Sequence, residues 1–139
     1  MALPVGTKAP DFKLPSTTGQ LFSLSEDLKN MPCVLYFYPK DFTSGCTKEA
    51  CSFRDAYDQF KTLGIRIIGI SRDSIETHLK FKKHYNLPFE LLCDADGKVT
   101  KLYDAKLPII NLPARITYLL DESHTIIGRY DSLFDAYGH

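Results

Sequence analysis

Two stretches of the chain are almost continuously apolar, and each predicts a strand that is covered on both faces of a sheet. The first is CVLYFYP at 33–39 and the second is IRIIGIS at 65–71. Between them, apolar residues recur at steps of four, three, four and three, which is the period of one helix face; they are Cys46, Ala50, Phe53, Tyr57 and Phe60. The order strand, helix, strand predicts a βαβ unit with parallel strands and a right-handed crossover.

Shorter patterns predict the elements around this unit. Turn residues separate two short apolar stretches within 11–28, and DESH separates ARITYLL from TIIGRY, so we expect two antiparallel hairpins. Asp73 followed by Glu76 resembles a capping box that opens a helix to about Tyr85. FELLCDADGKV predicts a short strand and a turn, followed by a short helix over about 99–103. The last residues, DSLFDAYGH, predict a short helix or a frayed end.

Together these elements indicate one α/β domain over residues 1–139, with a mixed central sheet and helices on both faces. The chain is 44% apolar and 24% charged, the balance of a soluble globular protein. Its 17 basic and 17 acidic residues cancel, so the charge indicates neither nucleic acid nor an anionic membrane as a partner.

The remaining composition favours a reducing compartment. No apolar run reaches the roughly 18 residues of a transmembrane helix, and the opening MALPVGTKAP lacks the basic start and apolar stretch of a signal peptide. The four cysteines, at positions 33, 46, 51 and 93, are too few and too irregular for a disulfide framework. We therefore expect a cytoplasmic location.

Two of the cysteines, Cys46 and Cys51, lie close together in PKDFTSGCTKEACSFR. On an ideal helix, residues five apart differ by about 140° in direction and by roughly 8.7 Å between Cα atoms, whereas a disulfide needs Cα atoms within about 7 Å. Either the two cysteines are unrelated, or the first helical turn unwinds when they bond. Cys46 belongs to the apolar stripe, whereas Cys51 is one residue off it and leans towards solvent.

Cys46 also lies where a thiol can be activated. If Thr43 is the N-cap, Cys46 is the third helical residue, near backbone N–H groups that have no partner within the helix. A helix N-terminus favours anions, thiolates included, and Pro39 ends the preceding strand and fixes the direction of the loop. The spacing alone is equally compatible with two small, buried, structural cysteines.

The segment YFYPKDFTSGCTKEAC resembles the active-site segment of the peroxiredoxins, in particular the bacterioferritin comigratory protein (Q-type) subgroup. The family signature is a Pro, a Thr or Ser four residues later, and the peroxidatic Cys three residues after that, here Pro39, Thr43 and Cys46. Cys51 occupies the place of the subgroup's resolving cysteine, and LPARITYLLDE resembles the segment with the active-site arginine, here Arg115. GTKAPDFKLPSTTGQLFSLSE resembles the start of the family, so the resemblance covers nearly the whole chain.

The resemblance implies a thioredoxin-like fold with an N-terminal β-hairpin, and a thiol peroxidase that needs neither a metal nor another cofactor. Cys46 would attack hydrogen peroxide or an organic hydroperoxide and become a sulfenic acid, which Cys51 would convert to an intramolecular disulfide. Thioredoxin, or glutaredoxin, would reduce that disulfide. Arg115 and Thr43 would stabilise the thiolate and polarise the peroxide, and Pro39 would shield the pocket. We expect a monomer or a weak dimer.

The remaining candidate residues are expected to take no direct part in the chemistry. Glu49, one turn beyond Cys46, is either a partner that orients Arg115 or an ordinary solvated residue, and we favour the latter. Cys33 and Cys93 are expected to be structural. The histidines show no metal-ligand spacing and are expected at the surface; they are His78, His84, His124 and His139.

Two positions depart from the commonest loop of the subgroup. Phe42 stands where a small acidic residue is frequent, and Ser44 stands where Pro is frequent. Phe42 would add an apolar side chain at the mouth of the pocket, which favours organic hydroperoxides or a contact surface. Ser44 would allow the loop to unwind more easily.

Other classes of protein remain as alternatives. A thioredoxin-type thiol–disulfide oxidoreductase would need Cys-x-x-Cys at the helix start, but residues 46–49 read CTKE. A non-catalytic redox-sensing or chaperone-like module on the same fold would not need Thr43, Cys46 and Arg115 together. A structural zinc site lacks paired ligands.

Overall fold

The structure is a computed structural model and describes residues 2–131. In chain order, the strands are β1 Lys13–Pro15, β2 Leu21–Ser23, β3 Cys33–Phe37, β4 Arg66–Ser71, β5 Glu90–Cys93, β6 Ile116–Leu120 and β7 Ile126–Tyr130. The helices are α1 Leu24–Asp27, α2 Ser44–Asp55, α3 Tyr57–Thr62, α4 Ile75–Tyr85 and α5 Lys98–Leu102. None of the helices in this part of the chain is long and apolar enough to cross a membrane.

Five strands form a mixed central sheet in the order β5-β4-β3-β6-β7. Strands β3, β4 and β5 are parallel, whereas β6 runs antiparallel to β3 and pairs with β7 as a hairpin. Strands β1 and β2 form a separate N-terminal hairpin. The α/β class, the βαβ unit and both predicted hairpins are therefore confirmed.

Strand β3 lies at the centre of the sheet, and all five of its residues are buried. Because side chains alternate along a strand, Leu35 and Phe37 face one apolar layer, which the N-terminal hairpin, α1 and α5 complete. Val34 and Tyr36 face the other layer, which contains residues of α2 and α4. The unbroken apolar run in the sequence reflects this cover on both faces.

The helical stripe after β3 is divided between two helices. Helix α2 ends at Asp55 and α3 begins at Tyr57, with Ala56 between them at φ −92° and ψ 0°. The stripe residues of α2 are buried, whereas Tyr57 and Phe60 are only partly buried. The prediction of one continuous helix was wrong at this position, and the fully buried part of the stripe belongs to α2.

Helix α4 begins one residue later than the capping-box pattern predicts. Ser74 is the N-cap, and its Oγ accepts a hydrogen bond from the backbone N–H of Thr77. The carboxylate of Asp73 instead accepts from the backbone N–H of Asp41 and from Ser71 Oγ. Asp73 therefore connects loops rather than capping the helix. Apart from its first residue, the segment DSLFDAYGH lies outside the described residues.

Candidate active site

The loop formed by residues 38–43 carries the chain from β3 to the start of α2. Thr43 is the N-cap, with extended backbone at φ −81° and ψ 152°, and its carbonyl accepts from the N–H of Thr47. Cys46 is the third residue of α2, as predicted. The hydroxyl of Thr43 does not cap the helix; it donates to the carbonyl of Lys40 at 2.9 Å.

The guanidinium of Arg115 reaches the sulfur of Cys46. Nη2 of Arg115 donates to Sγ at 3.3 Å, and the cysteine is only 1% exposed. Arg115 directly precedes β6, whose first residue, Ile116, pairs with Phe37 at the end of β3. The register of the sheet therefore brings together two residues that are 69 positions apart. Because arginine remains charged and only donates, this contact stabilises negative charge on the sulfur.

This contact depends on the absence of a side chain at Gly45. A Cβ at this residue would lie 2.7 Å from Nη2 and 2.9 Å from Nη1 of Arg115, which is closer than atoms can approach. The glycine is needed for space, and its backbone is not in the left-handed region. Nothing in the spacing singles out Gly45. The one hint is a glycine in the first turn of a helix, where it is unfavourable.

Glu49 is the second neighbour of the arginine. Its side chain is 2% exposed, and its Oε1 lies 3.8 Å from Nε of Arg115. Within residues 2–131, neither carboxylate oxygen has a hydrogen-bond partner. Burial raises the pKa of Glu49 to about 7, although the charge of Arg115 acts to lower it. The expectation of a solvated glutamate was wrong, because one turn beyond Cys46 is still the buried face of α2.

The other three cysteines lie in different surroundings. Cys51 is half-buried on α2, and all four thiols are free. Burial raises the pKa of Cys33 to about 12 and also raises that of Cys93. A protonated thiol is a poor nucleophile, so these two buried thiols fit the structural role that we expect for them.

Pro39 and Phe42 shape the two ends of the loop. The N–H of Tyr38 donates to the carbonyl of Ile70 and so continues the hydrogen bonds between β3 and β4. The next residue, half-buried Pro39, has no N–H and ends this series. Phe42 is 48% exposed and has φ 66°, a left-handed conformation that bulky residues rarely adopt. Its ring packs against that of Phe81 with centroids 5.0 Å apart. The predicted apolar surface at the loop is therefore in contact with α4.

Asp41 and His78 form a buried pair beneath the loop. Oδ2 of Asp41 lies 2.6 Å from Nδ1 of His78, and both side chains are 0% exposed. The prediction of surface histidines was wrong for His78 and also for His124, which is 7% exposed. It is confirmed for His84, whereas His139 lies outside the described residues. The sequence of α4 gives no sign of this burial, because a lone histidine in a helix has no pattern that marks its environment.

The same region brings three potential metal ligands together. Ligand atoms of Asp41, Asp73 and His78 lie within 4.8 Å of one another. Both oxygens of Asp41, both ring nitrogens of His78 and Oδ2 of Asp73 are engaged in hydrogen bonds. Those bonds account for the cluster as a hydrogen-bonded network.

A cavity of about 450 Å³ lies between α2, α3 and the strands β6 and β7. Its walls are mainly apolar, and the buried carboxylate of Glu49 is one of its polar lining groups; the apolar part is formed by Val34, Phe53, Ala56, Phe60 and Leu119. Cys46 is not among its lining residues in the described part of the chain. The cavity therefore adjoins the carboxylate of Glu49 rather than the sulfur of Cys46.

Known proteins share both the sequence and the fold. The profile of the AhpC/TSA family matches residues 5–129. A protein of Coxiella burnetii (strain RSA 493 / Nine Mile phase I) that is assigned as the peroxiredoxin bcp is 46% identical over 132 residues, which cover 91% of this chain and 87% of that protein. The chloroplastic peroxiredoxin Q of Oryza sativa subsp. japonica is 44% identical over 135 residues, or 96% of this chain, and the match spans 62% of its length.

A solved structure supports the same assignment. The crystal structure of peroxidoxin BcpB from Mycobacterium tuberculosis is similar to this chain with a TM-score of 0.86 and 35% identity, over 94% of this chain and 86% of that one. This similarity confirms the thioredoxin-like fold with an N-terminal hairpin. Since the family profile covers most of the chain and the sequence relatives are peroxiredoxins, the chain belongs to the AhpC/TSA family, as a thiol peroxidase of the BCP/PrxQ group of peroxiredoxins.

Proposed function

We propose that Cys46 is the peroxidatic cysteine, that Cys51 is the resolving cysteine, and that the substrates are hydrogen peroxide and organic hydroperoxides. The observation that carries this proposal is the 3.3 Å contact between Arg115 Nη2 and Cys46 Sγ at the start of α2. A sulfur beside a fixed positive charge and beside helix N–H groups is suited to react as a thiolate.

In the first step, the thiolate of Cys46 attacks one oxygen of the peroxide and the O–O bond breaks. The sulfur gains this oxygen, is oxidised by two electrons and becomes a sulfenic acid. The other oxygen leaves with the electron pair of the broken bond, takes up a proton and departs as water or an alcohol. Arg115 and the free N–H groups of the first turn of α2 would stabilise the charge as it moves from sulfur to oxygen.

Thr43 and Pro39 would orient and enclose the substrate. The hydroxyl hydrogen of Thr43 is directed to the carbonyl of Lys40, so its oxygen is left to accept a hydrogen bond from the O–H of a hydroperoxide. Pro39 lies half-buried at the start of the same loop. We assign it the role of shielding the pocket and limiting further oxidation of the sulfenic acid.

In the second step, the thiol of Cys51 attacks the sulfenic sulfur, and the disulfide forms as water leaves. Both residues lie within α2, where an intact helix keeps their Cα atoms roughly 8.7 Å apart. The first turns of α2 would therefore unwind before the bond forms. Helix N-termini fray more easily than helix centres, and Cys51 is half-buried rather than fully enclosed.

A dithiol partner completes the cycle. The family implies a thioredoxin-type reductant, and we propose thioredoxin itself, with glutaredoxin as the alternative, because an unwound segment would expose the disulfide to exchange. We further propose that residues 1–139 act as one cytoplasmic domain, as a monomer or a weak dimer.

The test is consumption of hydrogen peroxide and of an alkyl hydroperoxide, with thioredoxin, thioredoxin reductase and NADPH. Cys46→Ser should abolish turnover of both substrates, whereas the matched variant Cys33→Ser, which also replaces a buried thiol, should retain it. Thioredoxin-dependent turnover by Cys46→Ser would overturn the proposal. Replacing thioredoxin by glutaredoxin and glutathione tests the choice of reductant separately.

A further inference from the structure

The 38–43 loop is fastened to α4 and β5 by buried polar groups that the proposed chemistry does not use. Nδ1 of His78 lies 2.6 Å from Oδ2 of Asp41, and Nε2 of His78 lies 2.9 Å from the carbonyl oxygen of Leu92. The hydroxyl of Tyr38 donates to Oδ1 of Asp41 at 2.5 Å. One histidine of α4 therefore connects the loop to the end of a neighbouring strand.

These hydrogen bonds determine where the hydrogens lie. A carbonyl oxygen only accepts, so Nε2 of His78 must donate to Leu92. The other ring nitrogen faces Oδ2 of Asp41, so one hydrogen is held between the two side chains. Breaking a fully buried pair of this kind is costly, because each group would be left without a partner and away from water.

Two further contacts hold the same loop. The backbone N–H of Asp41 donates to Oδ2 of Asp73 at 2.9 Å, and the ring of Phe42 packs edge-on against Phe81. Phe42 has a positive φ of 66°, and such strain persists only where the surrounding structure enforces it. The contacts with α4 therefore hold the loop in a conformation that it would not adopt alone.

The loop continues directly into the N-cap Thr43 and the first turn of α2, which carries Cys46. If this turn unwinds, Thr43 moves, and the 38–43 loop that ends at Thr43 must move with it. We propose that Asp41 and His78 are positioning residues for Cys46: their buried bond holds the loop and the first turn of α2 in the peroxide-reactive arrangement, and it sets how often that turn unwinds to form the disulfide. This inference rests on the Cys46–Cys51 cycle proposed above.

The proposal requires that two steps respond in opposite directions. Weakening the bond lowers the population in which the sulfur meets Arg115, so oxidation of Cys46 by peroxide slows. It raises the population in which α2 is unwound, so the following disulfide forms faster. A variant that only destabilises the whole fold would not separate the two rates in this way.

The experiment measures both rates by rapid quench, alkylation and mass spectrometry, since the chain has no tryptophan to report by fluorescence. For His78→Leu we expect about tenfold slower oxidation of Cys46 and about tenfold faster formation of the Cys46–Cys51 disulfide, and Asp41→Ala should behave in the same way. If His78→Leu does not fold, His78→Gln, whose amide can still donate to Leu92, removes only the bond to Asp41 and carries the same expectation.

Asp41→Asn provides the rescue. Its amide can donate to Nδ1 of a neutral His78, while Nε2 still donates to Leu92 and the amide oxygen still accepts from Tyr38. Both rates should therefore stay within about threefold of those of the unaltered chain. If both rates change as much in Asp41→Asn as in Asp41→Ala, the proposed role of the bond is contradicted.

His124→Leu is the matched control. His124 is also buried, and its Nε2 lies 2.9 Å from the carbonyl of Leu28 and 3.2 Å from that of Met31, away from the loop. It should leave both rates unchanged. The inference is overturned if His78→Leu slows both steps, changes neither, or is reproduced by His124→Leu.

Hydrogen exchange of the reduced protein separates this inference from the proposed function. Amides of residues 47–50, whose hydrogen bonds to the carbonyls of residues 43–46 close the first turn of α2, should exchange about tenfold faster in His78→Leu than in His124→Leu, and this measurement needs no peroxide. Absence of a Cys46–Cys51 disulfide in the oxidised, unaltered chain would overturn the cycle. Unchanged exchange at residues 47–50 would overturn the role of Asp41 and His78 by itself.

Discussion

The guanidinium of Arg115 occupies the space that a methyl group would fill at Gly45, with Nη2 only 2.7 Å from the position of a Cβ. Gly45→Ala should therefore displace the arginine from the sulfur of Cys46. We expect the rate of Cys46 oxidation to fall on the order of tenfold to a hundredfold, because a transition-state donor is misplaced. The free energy of unfolding should stay the same or rise, because alanine is the better helix former.

These opposite effects are measured by peroxide kinetics and by urea unfolding of the same preparation. Ser44→Ala, at an exposed position in the same turn, is the matched control and should leave the oxidation rate unchanged. If Gly45→Ala oxidises at the rate of the unaltered chain, the close approach of Arg115 to Gly45 does not affect the oxidation of Cys46.

Arg115 itself should be needed in its full geometry. Arg115→Met removes the donor to Sγ, and we expect Cys46 oxidation to slow on the order of a hundredfold. Arg115→Lys keeps the charge but lacks the planar, forked donor group of arginine. Its oxidation rate should therefore lie between that of the unaltered chain and that of Arg115→Met. The rates are measured with one equivalent of hydrogen peroxide, so that reduction by thioredoxin plays no part. Equal oxidation rates in Arg115→Lys and Arg115→Met would mean that a positive charge at this position does not by itself speed the oxidation of Cys46.

Glu49 should make stability fall as the pH rises towards neutral. Its pKa is raised by burial from 4.5 to about 7 in the folded chain, so the folded state holds this proton more tightly than the unfolded state. Between about pH 4.5 and 7 the free energy of unfolding contributed by this group decreases, by at most about 3.5 kcal/mol, since each unit of difference in pKa between the folded and unfolded states is about 1.4 kcal/mol.

Urea unfolding at pH 5 and pH 8 tests this dependence. Glu49→Gln cannot ionise, so its stability relative to the unaltered chain should be greater at pH 8 than at pH 5. Glu76→Gln, at an exposed position on α4, is the control and should show no such difference. A constant gap between Glu49→Gln and the unaltered chain at both pH values would rule out titration of Glu49 in this range.

The oxidised protein should contain two peptides joined through Cys46 and Cys51. Trypsin cleaves after Lys48, between the two cysteines, so their disulfide links two separate peptides that reduction releases. In Cys51→Ser, oxidation of Cys46 should proceed once at the unaltered rate and stop at the sulfenic acid, with multiple turnover lost. A peptide that joins Cys46 to Cys93 instead would assign the resolving role to Cys93.

The elements that carry Cys46 could be predicted because their patterns are local. The apolar run of β3 follows from its cover on both faces, and the stripe of α2 together with Thr43 places Cys46 third in the helix. The end of α2 at Asp55 could not be predicted, since no glycine or proline marks it and the stripe continues in phase to Phe60.

The groups that gather around the sulfur depend on tertiary packing. Arg115 is 69 residues from Cys46, and only the family resemblance connects them. Glu49 and His78 illustrate a general limit: a polar residue on a helix looks the same in sequence whether its face is covered by a sheet or by water. Because polar residues are mostly exposed, a prediction from sequence places them at the surface, and it is wrong where such a residue is buried beside a charged partner.

The pairing of Ile116 with Phe37 fixes the position of Arg115 independently of α2. Arg115 is held at the start of β6, an inner strand of the sheet, whereas Cys46 lies in the first turn of a helix. In the proposed cycle, unwinding that turn would carry the sulfur away and would leave the guanidinium in place. A newly reduced Cys46 would then return to a positive charge that has not moved, so only the few residues of the first turn of α2 would have to refold to restore the site.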